Sequence, residues 1–200
     1  MNIVITGTSS GLGQALVGQL AQHQLHCITR DILDLSDCAA VADFDMPCCD
    51  ILINCAGTGR GGKQAFTDHH SQHVIEILST NLVAPVLLSQ KALRQNAQCK
   101  IVNITSTNNN RYYPNDLAYS LSKQSLSYFG QMLKIEYPSC QLLEVRLGLT
   151  KTQFNGSRYR DQPERAIDIY TNPHLDAAQA AKAIATAMFD PTIKFMELAP

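Results

Sequence analysis

Asn2-Ile3-Val4-Ile5-Thr6-Gly7-Thr8-Ser9-Ser10-Gly11-Leu12-Gly13 is the stretch whose reading decides the fold. Residues 2–6 form an apolar run too short for a buried helix, and read as a strand covered on both faces. From Gly11 to about Gln22, Leu12, Leu16 and Leu20 recur at helical spacing and put one apolar stripe on one face. Between strand and helix lie three glycines. Gly7 permits a tight turn, Gly11 lets the backbone approach a pyrophosphate, and Gly13 lets the helix pack on the strand. The free N–H groups at the helix start would then face the phosphates.

The same alternation continues along the chain. Leu25–Thr29 reads as a second strand, Ile32–Leu35 as a brief third closed by Ser36 as a helix cap, and Ile51–Cys55 as a strand ending at Ala56-Gly57. Helices follow over about Asp68–Leu78 and Leu82–Gln95, then a strand over Lys100–Thr105. A long helix runs from about Leu117 to Tyr137 and stops at Pro138. Leu142–Leu147 is a strand. Asp176 caps a helix over Ala177–Phe189, with Gln179 at the capping-box position, and Phe195–Leu198 is a last strand. Strands alternating with helices predict a single-domain α/β Rossmann fold over residues 1–200. Its sheet is doubly wound and parallel, of about seven strands, with helices on both faces. Ligands bind such sheets at the carboxyl ends of the strands, where the winding reverses.

Composition narrows the function. The chain has 200 residues and a net charge of −1, which gives no electrostatic footprint for nucleic acid or an anionic membrane. The N-terminus lacks a basic region followed by a long apolar stretch, and no segment is apolar enough to span a bilayer. Seven scattered cysteines without a Cys-x-x-Cys pair imply a reduced, cytoplasmic chain. His69 and His73 stand one turn apart without an evident third ligand, so no metal site is expected.

Tyr119-Ser120-Leu121-Ser122-Lys123 carries the chemistry. A tyrosine and a lysine four apart share a helix face, so the ammonium can sit beside the phenol. A tyrosine ionises near pH ~10, and a lysine charge ~6 Å away at an effective dielectric of ~20 supplies about 3 kcal/mol toward lowering that.

Taken together these motifs resemble the short-chain dehydrogenase/reductase family, in the subfamily with Thr-Gly-x-x-x-Gly-x-Gly and Tyr-x-x-x-Lys. Asn54-Cys55-Ala56-Gly57 is similar to the family's Asn-Asn-Ala-Gly, with Cys55 in place of an asparagine. Asn81 matches its helix-interrupting asparagine, and Ile101–Ser106 its fifth strand ending in a serine, thirteen residues before Tyr119. Leu147-Gly148-Leu149-Thr150-Lys151-Thr152 resembles the Pro-Gly-x-Val-x-Thr segment, with Leu147 replacing the proline.

The resemblance implies an NAD(P)-dependent oxidoreductase acting on a carbonyl/alcohol pair. Tyr119 would be the general acid or base. Lys123 would lower its pKa and bond the nicotinamide ribose, and Ser106 would hold the substrate oxygen. Asn81 would hold a water that passes protons to Lys123. The cofactor would lie along Gly7, Thr8, Ser9, Ser10, Gly11, Leu12 and Gly13, then Asn54, Ala56 and Gly57, and reach Gly148, Thr150 and Thr152 at its nicotinamide. Asp34-Leu35 is similar to the family's adenine-contacting Asp-Val.

Arg30 and Asp31 are adjacent where the adenosine 2′-position is read. Arginine suits a 2′-phosphate and aspartate a free hydroxyl; counting without gaps favours Asp31, and a gapped alignment favours Arg30. The reading leans to NADP(H) over NAD(H). Segment 153–175 would be a short substrate lid. Its Arg158, Arg160 and Arg165, with residues 108–113 opposite, suggest a polar substrate, anionic or sugar-like. Relatives of this kind form homodimers or homotetramers. Two alternatives use the same fold: an NAD-dependent epimerase or dehydratase, whose usual Thr-Gly-x-x-Gly-x-x-Gly is absent, and a non-catalytic nucleotide-binding regulator.

Overall fold

The computed structural model describes residues 1–109, 113–160 and 162–200. In chain order the elements are β1 (Asn2–Thr6), α1 (Gly11–Gln19), β2 (Gln24–Ile28), α2 (Cys38–Asp43), β3 (Ile51–Asn54), α3 (Ser71–Leu78), α4 (Ala84–Gln95), β4 (Lys100–Ser106), α5 (Leu117–Glu136), β5 (Gln141–Leu147), β6 (Thr150–Lys151), α6 (Phe154–Arg158), α7 (Pro163–Asp168), β7 (Leu175–Asp176), α8 (Ala177–Met188) and β8 (Phe195–Leu198). Six strands form one parallel sheet in the order β2-β1-β3-β4-β5-β8, and β6 pairs with β7 in a separate two-stranded ribbon. From β1 the chain steps out to β2, then crosses back to β3 and winds on to β8. The winding therefore reverses between β1 and β3, where a cleft can open at their carboxyl ends.

Alternation along the strands builds two cores. Ile3, Ile5, Ile51, Ile53, Val102 and Val145 face one side, against Leu12, Leu16 and Leu20 of the α1 region and the small stripe Ala180, Ala181, Ile184 and Ala187 of α8. Val4, Leu52 and Ile101 face the other, against Leu88 and Ala92 of α4 and Leu133 of α5. Every one of these strand residues is buried, as both-sided coverage of a parallel sheet requires. Complete burial of one leucine or isoleucine contributes about 1.5–3 kcal/mol, so a charge at Ile5 or Leu52 would unfold the sheet at its centre.

Ile32–Leu35 is not a strand, and the sheet has six strands rather than about seven. Only three residues separate Ile32 from the end of β2, whereas a parallel crossover needs a dozen or more. Leu33 and Leu35 instead bury themselves in the second core. Ser36 does not cap α2. Its backbone N–H and hydroxyl both donate to Asp34 Oδ1, at 2.9 and 2.7 Å, and Asp37 caps α2 by accepting from the amides of Ala39 and Ala40. At the other end of the chain, Asp176 caps α8 through the amides of Ala178 and Gln179.

Two local features shape the cleft. A single π-turn over Ser79–Val83 joins α3 to α4 and turns Asn81 inward, fully buried. Segment 153–175 carries α6, α7 and a short 3₁₀ turn, and folds back over the cleft. Its anchor is the Tyr170 hydroxyl, which accepts from Thr152 N and Asn155 Nδ2, both at 3.1 Å, and donates to Thr152 O at 2.8 Å.

Candidate active site

At the carboxyl ends of the strands lies a cleft of about 1000 Å³. Its floor is the glycine turn. Gly7 and Gly11 hold φ of +74° and +56°, which disfavour any side chain, and a Cβ on Gly13 would collide with the carbonyl oxygen of Gly7. Ser10, at the N-cap of α1, makes no side-chain cap bond. The Thr8 hydroxyl is buried without a partner among the described residues. Free helix amides are donors that suit the oxygens of a pyrophosphate. The residues present therefore fit a dinucleotide.

Most residues singled out in the sequence converge here. The glycines of the turn, Ser9, Ser10, Leu12, Arg30, Asp34, Leu35, Ala56 and Gly57 line one half of the cleft. Ser106, Tyr119, Lys123, Gly148, Thr150 and Thr152 line the other. Four of the catalytic and cofactor-binding candidates do not line it, and neither does Arg165 of the lid. Thr8 is buried, Asp31 is an exposed loop residue, and Asn54 lies beneath the floor with its amide donating to Asn103 Oδ1 at 2.9 Å. Asn81 lies behind Lys123. It accepts from Thr58 N at 2.8 Å and donates to Thr58 O at 2.9 Å and Ser122 Oγ at 3.0 Å, so it clamps the loop after β3. Asn110, Arg111, Tyr112 and Asp161 lie outside the described residues.

Ser106 ends β4, and Tyr119 opens the first turn of α5. The Ser106 hydroxyl is close enough to the Tyr119 phenol to draw its proton affinity down, and Ser106 Oγ accepts from Asn108 N at 3.2 Å. Lys123, one turn further along α5, is almost wholly buried. Its Nζ donates to Ile104 O at 2.9 Å. Burial, opposed only weakly by the Cys55 thiol, brings the Lys123 ammonium down to about 8. Burial likewise pushes the Tyr119 phenol above its ordinary value. The Arg158 guanidinium is the first influence drawing it back and the Ser106 hydroxyl the second, while Asp116 adds to the rise.

Arg60 and Lys63 had no signal in the sequence that placed them in the site, and for Arg158 the sequence marked the lid but not the partner. Arg158 is buried on α6, ion-paired to the equally buried Asp116. Arg60, from the loop after β3, reaches the same end of the cleft as Arg30, which is itself paired to Glu76 at 3.7 Å. Lys63 lies with its Nζ 4.7 Å from the centroid of the Tyr113 ring, and burial lowers its proton affinity. His69 and His73 turn Nδ1 atoms toward Gly61. Among the described residues no third histidine, cysteine, aspartate or glutamate joins them, and no helix there is long and apolar enough to cross a membrane.

Comparison with known proteins bears on the same segments. The family pattern described as short chain dehydrogenase matches residues 22–163. A curated protein of Schizosaccharomyces pombe, named NADP-dependent 3-hydroxy acid dehydrogenase, is 22% identical over 206 aligned positions, covering 85% of this chain and 79% of that protein. Among solved structures, the closed form of a serine dehydrogenase complexed with NADP+ superposes with a TM-score of 0.87 at 19% identity, covering 99% of this chain and 94% of the other. A 4-hydroxyisoleucine dehydrogenase complexed with NADH gives 0.79 at 19% identity, covering 99% and 96%. These likenesses show a shared fold. The family pattern itself runs from just before β2, through the Ser106, Tyr119 and Lys123 positions, into the lid, and on that match the chain belongs to the short-chain dehydrogenase family of oxidoreductases.

Proposed function

We propose that this enzyme uses NADP(H) to interconvert a polar carbonyl compound and its alcohol, with Tyr119 as general acid and base. The observation that carries this reading is the convergence of Ser106 and Tyr119 at the inner end of a cleft whose outer end is the glycine cradle. When bound, reduced nicotinamide supplies hydride from C4 to the substrate carbon. Tyr119 donates its phenol proton to the substrate oxygen in reduction, and takes the alcohol proton in oxidation. Ser106 donates to that oxygen as it gains negative charge. Lys123 and the Gly148–Thr152 segment hold the nicotinamide end. Asn81 fixes the loop that walls off Lys123, and is the candidate to hold a relay water there.

Arg30 and Arg60 at the adenosine end favour NADP(H) over NAD(H), because two guanidiniums match a 2′-phosphate while Asp31 lies outside the lining. The names of the fission-yeast relative and the NADP+-bound serine dehydrogenase point the same way. Lys63, Arg158 and Asp116 at the other end favour a polar substrate. Residues 1–200 act as one catalytic domain. A row of exposed apolar residues on one face of α5, Leu117, Leu121, Tyr128 and Ile135, favours a homodimer or homotetramer. The unpaired thiols suit a reducing cytoplasm.

The test joins two measurements. Fluorescence titration should give tighter binding of NADPH than NADH, with Arg30→Ala removing that preference. Tyr119→Phe should keep NADPH binding and lose turnover on a panel of polar carbonyls. Full turnover in Tyr119→Phe would overturn the assignment.

A further inference from the structure

Helix α6 of the lid sits directly on the proposed acid–base residue. Phe154 and Arg158, one turn apart on α6, both contact the Tyr119 ring, with centroids 5.8 Å apart for Phe154 and the guanidinium carbon 4.9 Å from the ring centroid for Arg158. Arg158 is held there at some cost. It is 6% exposed, and its Nε is buried with no partner among the described residues, an arrangement that a purely structural arginine avoids. Its Nη2 is paired with Asp116. That carboxylate occupies the N-cap position of α5, where aspartate ordinarily caps the helix, yet it makes no cap bond. It is spent instead on Arg158 and on Asn108 Nδ2, 3.1 Å away. The arginine stem lies where a side chain at position 59 would stand: a Cβ on Gly59 would be 3.1 Å from Arg158 Cγ, Cδ and Nε.

We propose that Arg158 is a positioning residue that couples lid closure to proton transfer, its fixed charge reaching the Tyr119 ring and stabilising tyrosinate only while α6 is docked. The inference rests on Tyr119 being the acid–base group. The charged and titratable groups around the phenol are Asp116 and Lys123 on α5, Arg158 on α6, Arg165 on α7, and Lys63 and His69 on the segment between β3 and α3. His69 is held toward its neutral form by burial and by His73, so it carries little charge at neutral pH. Lys123 is directed at Ile104 O. Arg165 is directed at Lys63 O and Gln162. Arg158 is the cation stacked on the ring, and a guanidinium stays charged throughout the working range. With α6 docked, the Arg158 charge offsets part of what burial does to the phenol, and moving that guanidinium off the ring removes the offset. Arg158 works through Tyr119 and needs no contact with substrate.

A fluorinated tyrosine at position 119, whose phenol ionises at lower pH, allows the ionisation to be followed by fluorine NMR without a substrate. Arg158→Gln should move the midpoint to higher pH by roughly one unit, a tenfold loss of tyrosinate at a given pH. Because that variant strands Asp116 as a buried charge, the double variant Arg158→Gln/Asp116→Asn is measured beside it. Its midpoint should also rise, by less. Gly59→Val keeps every charge and pushes Arg158 off the ring, and should reproduce the rise. An unchanged midpoint in the double variant would overturn the charge effect, and an unchanged midpoint in Gly59→Val would overturn its coupling to lid position. Turnover by Tyr119→Phe would sink the acid–base reading instead, while leaving the fluorine titration to judge the electrostatic link by itself.

Discussion

Thr6→Val tests how the switch point is held together. Thr6 is 2% exposed at the end of β1. Its Oγ1 accepts from Cys55 N and Ala56 N, each at 3.0 Å, and donates to Ile53 O at 3.4 Å. One hydroxyl thus ties β1 to the loop leaving β3, across the reversal of winding. Valine has nearly the same volume, so no cavity opens and the change isolates the hydrogen bonds. Cys55 N keeps a second acceptor, Ile53 O at 3.0 Å. Ala56 N has no other acceptor among the described residues, and is left unpaired in a half-buried place. An orphaned amide costs about 1–3 kcal/mol and a weakened shared bond about 0.5 kcal/mol, or roughly 2 kcal/mol in all. For a chain of this size that lowers Tm by about 4–8 °C. Calorimetry and urea titration on wild type, Thr6→Val and Thr6→Ser measure it, with serine recovering most of the loss. NADPH binding should weaken severalfold in Thr6→Val, because Ala56 packs against Gly7, where a Cβ would meet Ala56 Cα at 2.7 Å. A Thr6→Val protein that melts within about 1 °C of wild type would refute the reasoning.

The pH dependence of stability reports on Lys123. Its ammonium titrates near 8 in the folded chain against an ordinary 10.5, so between those values the unfolded chain binds more protons and stability rises with pH. The gap corresponds to about 3 kcal/mol, so wild type should gain on Lys123→Met from pH 8 to 10.5; parallel stability curves for the two would show that the lysine is not held against its charge. Ile135→Asp, on the exposed apolar row of α5, should shift the protein toward monomer in gel filtration with its melting temperature little changed. An unaltered elution volume would place the assembly surface elsewhere.

What could be read from the chain alone was whatever local geometry determines. Residues 2–13 are contiguous, and each step from strand to turn to helix follows from the residue there and its neighbours. Tyr119 and Lys123 share a face because both lie on α5. The asparagine at 81 interrupts its helix through a π-turn of five consecutive residues. Where the reading went astray, a longer-range constraint intervened. Ile32–Leu35 has the composition of a strand, but too little chain precedes it to cross back into a parallel sheet. Ser36 was a plausible cap, but Asp34 captured its hydroxyl.

The sequence by itself determined the alternation of strands and helices, the glycine cradle and the tyrosine–lysine helix, because these rest on periodicity and backbone conformation over a few residues. Only the tertiary structure decided which charge meets the phenol. Asp116 and Arg158 are 42 positions apart, and nothing in the local pattern of either distinguishes it from a solvated surface charge. They meet because the lid folds back over α5 and Gly59 leaves room for the arginine stem. The guanidinium carbon of Arg158 thereby comes 4.9 Å from the Tyr119 ring centroid, while the Lys123 ammonium donates to the β4 carbonyl of Ile104.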